Sequence, residues 1–415
     1  MVSKSALYIT GLGSQYPPYL MAPEKLDDLA ERFGDTSSPG IKKLLQINRS
    51  TGIQTRSAIH SYEDGFATQE GPPSAKELDE FFRQAGVDLA VQACQKALQE
   101  ACIDPEHITH TVGVTCTNHG SPGYDLLVAR QVGLSPQVDR MLLHGVGCAG
   151  GLSIMRAAAQ IASGASLRRK PARILAFACE LCTPNFRNEL VHAEKCAHPD
   201  RVCIAGALFS DAAAAFVLCN EYAMANDENV TPVFELVEWG TSLIPDTIEH
   251  LSFYADIDGY RTVLSRNVST YAKNAISPMF ERLLPSYVEQ VSSLPGVEGE
   301  TLQISLGPSE FDWALHPGGQ AIINGAQRVL KLTDDQLQAC RDIYRTRGNS
   351  SSASVLIVLD RARTLEALVI LGLDVLLRMH YKVPPVSKVV SLNWDSQISA
   401  ANQQFQLFDV PASLV

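Results

Sequence analysis

The sequence has no excess of positive charge, no long apolar run and no dense set of cysteines. Its 415 residues include 34 Lys and Arg against 45 Asp and Glu, a net charge of −11, so no nucleic-acid partner is expected. The most apolar late stretch, 365–377, is too short to span a bilayer, and residues 1–10 lack the apolar core of a signal peptide. Ten cysteines spread over this length do not form a secreted disulfide framework. We therefore expect a soluble, cytoplasmic protein with reduced thiols and no membrane span.

The composition is that of a folded protein, and its apolar pattern alternates between two periods. Hydrophobic residues make up 46% of the chain and charged residues 19%. Apolar residues recur at helical spacing over 88–101, which predicts an amphipathic helix. Short apolar or β-branched runs predict strands at 6–10, 111–116, 173–179 and 213–219. Helices alternating with short strands indicate the α/β class.

A polar segment in the middle of the chain, 220–231, is the best linker. It divides the sequence into an N-terminal half, 1–220, and a C-terminal half, 232–415. Each half contains a reactive residue and two glycines before a predicted helix, Cys148-Ala-Gly-Gly151 in the first and His316-Pro-Gly-Gly319 in the second. We therefore expect two duplicated α/β units that meet at one central site.

The two halves also share a second feature downstream of these helices. In each, a run of small residues leads into a predicted strand, at 210–218 in the first half and at 349–359 in the second. This similarity supports the expectation of duplication.

Cys148 is the candidate nucleophile. The glycines around it match Gly-x-Gly-x-x-Gly, but a dinucleotide site needs an acidic residue about 20 positions later, and 167–171 is basic instead. The glycines fit a sharp turn that presents one side chain at the start of a helix. There the helix dipole stabilises a thiolate, so we expect a lowered pKa for Cys148. The alternative is a small buried cysteine that fills a tight contact.

His316 and Asn349 are the candidate partners of this thiol. His316 lies between a predicted strand and the Pro-Gly-Gly that starts a helix, although a lone histidine on an apolar segment is more often a core residue. Asn349 follows a glycine, and on local grounds a turn residue is a strong alternative. The combination of the three residues favours a catalytic set.

Three segments resemble the active-site segments of type III polyketide synthases, the chalcone-synthase-like branch of the thiolase superfamily, and of the fungal type. They are Val146-Gly-Cys-Ala-Gly-Gly151, Leu315-His-Pro-Gly-Gly319 and Arg347-Gly-Asn-Ser-Ser-Ser-Ala353. The resemblance extends over 40–360. It implies a layered αβαβα thiolase-like fold, a homodimer, acyl-CoA and malonyl-CoA as substrates, and neither a metal nor a redox cofactor.

The resemblance also implies a chemical role for each of the three residues. Cys148 would hold the acyl group as a thioester, and His316 would keep the thiolate charged. His316 and Asn349 would together stabilise the enolate that forms when malonyl-CoA loses carbon dioxide. A fatty acyl-CoA starter leading to alkyl pyrone or alkylresorcinol-type products is the leading hypothesis. The alternatives are a ketoacyl synthase III-like single condensation and an inactive member that binds acyl-CoA.

The same resemblance places further residues in the substrate pocket. Phe209 and Thr262 match the two gatekeeper positions at the mouth of the cavity, where Thr262 replaces the usual phenylalanine and would admit long chains. Asn118 and Asn185 match cavity positions, and Lys43 matches a position that binds the CoA phosphates.

The sequence departs from the family after Asp360, where the usual Gly-Phe-Gly-Pro-Gly loop is absent. A metal site is not expected. Cys179 and Cys182 form a single Cys-x-x-Cys pair, and the His and Cys residues within 191–203 match no standard zinc spacing.

Overall fold

The computed structural model defines the backbone of most of the chain. It describes residues 6–225, 227, 229–256, 259–292, 306–365, 369–371 and 375–379. The α-helices are α1 (Glu24–Phe33), α2 (Pro39–Ser50), α3 (Ala75–Phe81), α4 (Val87–Ala101), α5 (Tyr124–Val132), α6 (Gly150–Leu167), α7 (Phe186–Glu194), α8 (Ala205–Leu208), α9 (Glu221–Met224), α10 (Val268–Ser292), α11 (Gln320–Leu330), α12 (Gln338–Arg347) and α13 (Ser354–Ala362).

The strands form one large mixed sheet and two small antiparallel pairs. The strands are β1 (Leu7–Gln15), β2 (Tyr19–Met21), β3 (Arg56–Ala58), β4 (His110–Val114), β5 (Asp139–Leu143), β6 (Arg173–Glu180), β7 (Ala212–Asn220), β8 (Phe234–Trp239), β9 (Leu251–Asp256), β10 (Gly259–Leu264), β11 (Asp312–Ala314), β12 (Val369–Leu371) and β13 (Val375–Met379). The sheet has nine strands in the order β11-β12-β13-β8-β1-β7-β6-β4-β5, while β10 pairs with β9 and β2 with β3. Within it β4 runs parallel to β5 and β6, whereas β7 runs antiparallel to β6 and β1.

The centre of the sheet is buried on both faces. On β6, Leu175 and Phe177 join the apolar cluster of α4 and α5, whereas Ile174 and Ala176 join the cluster of α6 and α13. Side chains of a strand alternate between its two faces, so a strand covered on both sides is apolar throughout. This explains the uninterrupted apolar runs that predicted β6 and β7. The described chain therefore has the layered α/β organisation that the sequence predicted.

A third, smaller apolar cluster supports the helices beside the sheet. Leu26 of α1, Ile41 of α2 and Phe186 and Leu190 of α7 are among its buried members. Ala207 of α8 belongs to the same cluster. The cluster holds α7 and α8 in place, and α8 leads directly into Phe209 and β7.

The elements that local pattern predicted are present in the structure, with one clear failure. The predicted helix at 88–101 is α4, and the four predicted strands are β1, β4, β6 and β7, with β1 extending as far as Gln15. The predicted strand at 349–359 is wrong, because 351–353 form a 3₁₀ turn and Ser354–Ala362 is α13.

The failure at 349–359 has a physical cause. Residues 355–359 are all apolar and at most 2% exposed, so this stretch of α13 has no polar face. A helix buried on all sides and a buried strand give the same continuous apolar run. The second half therefore has no counterpart of β7 at this position, and this support for duplicated halves is lost.

No helix of the described residues is long and apolar enough to cross a membrane. The end of the predicted C-terminal half, from residue 380 onward, lies outside the described residues.

Candidate active site

Cys148 lies where β5 leads into α6. A single 3₁₀ turn, Gly147–Ala149, connects to the first residue of α6, and Gly147 has a left-handed φ of +52° that favours glycine. A Cβ built on Gly151 would lie 2.5 Å from the Ser352 carbonyl oxygen. Glycine therefore lets the start of α6 approach the turn that begins α13. Cys148 and Asn349 come together because these two helix starts touch.

Asn349 is held rigidly in the turn before α13. Its backbone bonds to the segment around Phe209: Asn349 N donates to Leu208 O at 3.0 Å, and Ser210 N donates to Asn349 O at 2.9 Å. In the side chain, Oδ1 accepts from Ser351 N at 2.9 Å, and Nδ2 donates to Gly318 O at 3.4 Å. A carboxamide nitrogen has two protons. The structure thus leaves Asn349 one N–H donor without a partner among the described residues.

His316 follows β11 and precedes α11. Its ring is half-buried, and Nδ1 has no hydrogen-bond partner among the described residues. Burial lowers the pKa of His316 to about 4. The imidazole is therefore neutral at neutral pH, and a neutral imidazole has one nitrogen that accepts a proton and one that donates.

Cys148 is half-buried, and among the described residues one side chain donates to its sulfur. Ser351 Oγ donates to Cys148 Sγ at 3.5 Å. Burial raises the pKa of Cys148 to about 11, the Ser351 hydrogen bond opposes this, and the charge of Glu180 raises it further. The expectation of a lowered pKa is not met, because burial raises the pKa of Cys148 more than its hydrogen bonds lower it. The thiol is the resting form at neutral pH.

Hydrogen bonds link Cys148 to Asn349 and link Asn349 to the backbone beside His316. Asn349 connects the other two, through Ser351 to Cys148 and through Gly318 to the segment of His316. No hydrogen bond joins Cys148 directly to the His316 ring in the part of the chain that the structure describes. The thiol and the carboxamide, from two distant parts of the chain, are thus linked by hydrogen bonds, and the carboxamide also bonds to the backbone two residues after His316.

Sequence reasoning missed a buried carboxyl group beside this cluster. Glu180, the last residue of β6, is 0% exposed and accepts hydrogen bonds from Cys116 N at 3.1 Å, from Thr117 Oγ1 at 2.9 Å and from Ser352 Oγ. Burial raises the pKa of Glu180, and the hydrogen bond from Ser352 opposes this. One signal was available, because an acidic residue ends an otherwise apolar strand.

A second thiol, that of Cys116, was also missed as a neighbour of the candidate nucleophile. Cys116 Sγ lies 3.5 Å from Ser351 Oγ, the same hydroxyl that donates to Cys148, and 3.3 Å from Glu180 Oε2. Burial raises the pKa of Cys116 well above its ordinary value. This thiol is therefore protonated at neutral pH.

The predicted pocket residues are mostly engaged with protein partners. Phe209 is half-buried beside Asn349. Asn118 Nδ2 donates to Asp79 Oδ1 at 2.7 Å, and Thr262 Oγ1 donates to Glu189 Oε1 at 2.8 Å. These polar groups therefore have partners before any ligand arrives.

Asn185 connects α7 to the β9–β10 hairpin. Its amide exchanges two hydrogen bonds with the Tyr260 backbone, at 3.0 and 3.1 Å, and also bonds to Asn188 at 3.1 Å and to Glu189 at 3.4 Å. These four bonds fill the capacity of a carboxamide. Asn185 therefore fixes the hairpin and has no polar capacity left for a ligand.

The predicted phosphate-binding helix is α2. Lys43 on this helix is half-exposed, and its Nζ donates to Gln46 Oε1 at 3.4 Å. Arg49 on the same helix forms an ion pair with Asp27 at 2.6 Å. Of these two cations, Lys43 has the weaker attachment.

Comparison with known proteins identifies the family. Residues 4–221 match the profile of the N-terminal domain of chalcone and stilbene synthases, and residues 296–370 match the profile of their C-terminal domain. The type III polyketide synthase pspB of Penicillium soppii is 70% identical over 359 residues, 86% of this chain and 90% of that protein.

Two further relatives are more distant. The acylalkylpyrone synthase csyB of Aspergillus oryzae is 33% identical over 87% of this chain and 88% of its own length; a crystal structure of CsyB with CoA superposes with a TM-score of 0.79 at 33% identity, covering 87% of this chain and 92% of that one. The structure of a type III pentaketide synthase from Neurospora crassa superposes with a TM-score of 0.82 at 38% identity, covering 90% of this chain and all of that one.

The chain belongs to the chalcone and stilbene synthase family, and its α/β fold is the thiolase-like fold of that family. Within it, the chain is a type III polyketide synthase, an acyltransferase that condenses an acyl-CoA starter with malonyl-CoA. The resemblance inferred from three short segments is confirmed.

Proposed function

We propose that this type III polyketide synthase takes a fatty acyl-CoA starter, extends it with malonyl-CoA, and releases alkyl pyrone or alkylresorcinol-type products. Two observations support this. A relative at 33% identity carries the name acylalkylpyrone synthase, and Thr262, a small residue, lies on the hairpin predicted to border the pocket mouth.

The proposed first step is acyl transfer to Cys148. Its thiol proton passes to the neutral His316 imidazole while the sulfur attacks the thioester carbonyl. The bond from carbonyl carbon to the CoA sulfur breaks, and CoA leaves as a thiol with the proton from His316. The cluster that connects Cys148, Asn349 and the His316 segment is the single observation that carries this proposal.

The proposed second step is decarboxylative condensation. Malonyl-CoA loses carbon dioxide, and the electron pair of the broken C–C bond forms an enolate. The free N–H of Asn349 and the N–H of His316 stabilise the enolate oxygen. The enolate carbon attacks the Cys148 thioester, the sulfur leaves, and the product is longer by two carbons. Asparagine suits this site because it donates hydrogen bonds without a charge that repels malonate.

Intact-protein mass spectrometry tests the assignment of Cys148. After addition of hexanoyl-CoA or palmitoyl-CoA, the wild type is expected to gain one acyl mass, and Cys148→Ala none. Cys102→Ala, which removes an exposed thiol, is the matched control and should acylate like the wild type. A wild type that stays unmodified with both starters supports the inactive alternative.

Product analysis with malonyl-CoA tests the remainder of the proposal. Liquid chromatography with mass spectrometry should detect pyrone or resorcinol-type products after several extensions. A single two-carbon extension would favour the ketoacyl synthase III-like alternative.

The domain division, the role of Lys43 and the oligomeric state are also proposals. We propose that the chain divides functionally into 1–220 and 232–415, and that Lys43 binds a CoA phosphate. We further propose a homodimer, because β5 lies at the edge of the described sheet and Met141 on it is 42% exposed. Light scattering on the purified protein measures the oligomeric state.

A further inference from the structure

Glu189, on α7, has a buried carboxyl group that takes no part in the proposed chemistry. Its side chain is 4% exposed. Oε1 accepts a hydrogen bond from Thr262 Oγ1 at 2.8 Å and a longer one from Asn185 Nδ2 at 3.4 Å. Oε2 is buried and accepts no hydrogen bond of normal geometry in the described structure, although the weakly donating Cys203 thiol faces the carboxyl group.

A buried carboxyl group in this position lowers the stability of the fold unless its hydrogen bonds compensate. Burying it without full hydrogen bonding is unfavourable, and burying it charged is more so. Burial accordingly raises the pKa of Glu189 to about 7, while the hydrogen bonds from Thr262, Cys203 and Asn185 oppose this. The favourable interactions that Glu189 makes are therefore its bonds to residues on neighbouring elements.

These bonds reach the hairpin that the family resemblance places at the pocket mouth. Thr262 lies in the middle of β10, and Asn185 bonds to both backbone groups of Tyr260 on the same strand. The Tyr260 hydroxyl in turn donates to Thr117 O at 3.5 Å. Thr117 follows Cys116, and the Sγ atoms of Cys116 and Cys148 both lie within hydrogen-bond distance of Ser351 Oγ. Glu189 is thus connected to the candidate active site through β10.

Glu189 also touches the second segment of the predicted mouth. A Cβ built on Gly206 of α8 would lie 3.5 Å from Glu189 Cβ. Phe209 follows α8 directly and forms a bridge with Asn349. Glu189 therefore lies beside α8, which precedes Phe209, while its carboxyl group bonds to Thr262.

We propose that Glu189 is a specificity-determining positioning residue that fixes Thr262 and β10 against α7 and thereby sets which acyl chains enter the pocket. This inference rests on the proposed function. The single hydroxyl proton of Thr262 is donated to Glu189, so the χ1 angle of Thr262 is fixed and its methyl group takes one position. Without that acceptor, Thr262 Oγ1 loses its partner and Asn185 loses the longest of its four bonds, so β10 is held against α7 by fewer bonds.

Competition between two starters measures this effect. Hexanoyl-CoA and palmitoyl-CoA are offered together, and the ratio of their kcat/KM values is determined for wild type, Glu189→Leu, Glu189→Gln and Thr262→Val. Loss of a buried hydrogen bond changes discrimination about fivefold or more. Glu189→Leu and Thr262→Val should therefore change the ratio in the same direction, and the double variant should change it no further.

Two variants serve as controls. Glu189→Gln keeps an oxygen that accepts the Thr262 proton, so its ratio should stay within about twofold of the wild type. Glu194→Gln, at the exposed end of the same helix, should have no effect on the ratio. Rescue by glutamine separates positioning through a hydrogen bond from a general packing effect.

The inference is overturned if Glu189→Leu and Thr262→Val both keep the wild-type ratio while the wild type is active. If Glu189→Leu does not fold, as measured by circular dichroism, the ratio for Thr262→Val alone is compared with that of the wild type. An unchanged ratio then overturns the inference. A wild type that forms no acyl-enzyme and no product would instead refute the proposed function itself.

Discussion

The hydroxyl of Ser351 offers the sharpest test of how the site sets the reactivity of Cys148. Ser351→Ala removes the side-chain donor to Cys148 Sγ that the described residues provide, whereas the backbone bond from Ser351 N to Asn349 Oδ1 remains. The perturbation therefore changes the environment of the thiol without releasing the carboxamide. We expect a higher pKa for Cys148, because the Ser351 hydrogen bond opposes the effect of burial.

The magnitude follows from the geometry. A hydrogen bond to a charged group contributes about 1.5–3 kcal/mol, and the 3.5 Å contact to sulfur places this one at the lower end. Since 1.36 kcal/mol corresponds to one pKa unit, the thiolate fraction should fall about tenfold. The assay is the rate of alkylation of Cys148 by iodoacetamide at pH 8, followed by mass spectrometry of its peptide.

Ser352→Ala is the matched control, because the neighbouring hydroxyl donates to Glu180 and not to Cys148. Its removal raises the pKa of Glu180 and weakens the negative charge that raises the pKa of Cys148. Alkylation should therefore be unchanged or faster. Equal rates for Ser351→Ala and wild type, or equal slowing in both variants, would refute the reasoning.

Three further predictions concern other parts of the cluster. Asn349→Ala should still acylate but condense about 10²–10³-fold more slowly, because it removes one donor to the enolate; acylation and product formation are measured separately. Glu189→Gln should match the wild type in thermal stability below pH 4.5 and exceed it by up to about 3 kcal/mol above pH 7. The pKa of Glu189 is about 7 in the folded state and 4.5 ordinarily. The stability that the neutral acid contributes is therefore lost as the pH rises through the folded-state pKa. Gly151→Ala should destabilise the fold by about 1–3 kcal/mol in thermal melting, because its Cβ would lie 2.5 Å from the Ser352 carbonyl oxygen.

Each of these has an outcome that contradicts it. Loss of acylation in Asn349→Ala would mean that the residue acts before decarboxylation. A stability difference between Glu189→Gln and wild type that does not vary between pH 4.5 and 7 would mean that the carboxyl group does not titrate there. An unchanged melting temperature for Gly151→Ala would mean that the starts of α6 and α13 are not in close contact.

Local sequence pattern is sufficient to predict a helix or strand that has a polar side or a strong boundary. The helix α4 shows a clear period because one face is exposed, and it was predicted within one residue at its start and correctly at its end. The apolar run of α13 has no such contrast, and it was taken for a strand. The difference lies in the surroundings of the two helices and not in their intrinsic propensity.

The predicted roles of the pocket residues illustrate a second limit. Asn185 and Thr262 were placed in the pocket by resemblance, and residue type alone suggests polar groups available to a substrate. In the structure both donate to Glu189, a residue that no local signal marked. Thr262 and Glu189 are 73 positions apart, so the bond between them cannot be predicted from local spacing.

The class of fold, the family and the three residue types that the proposed chemistry requires are predictable from local patterns, because glycine turns and reactive side chains leave a local signature. The protonation of these groups depends instead on how the whole chain packs. Cys148 and the Ser351 that bonds to it are 203 positions apart, and the burial that keeps both Cys148 and His316 neutral is produced by layers from the whole chain. Electrostatic energies depend on burial and on distances through space, and neither is encoded in any single stretch of residues.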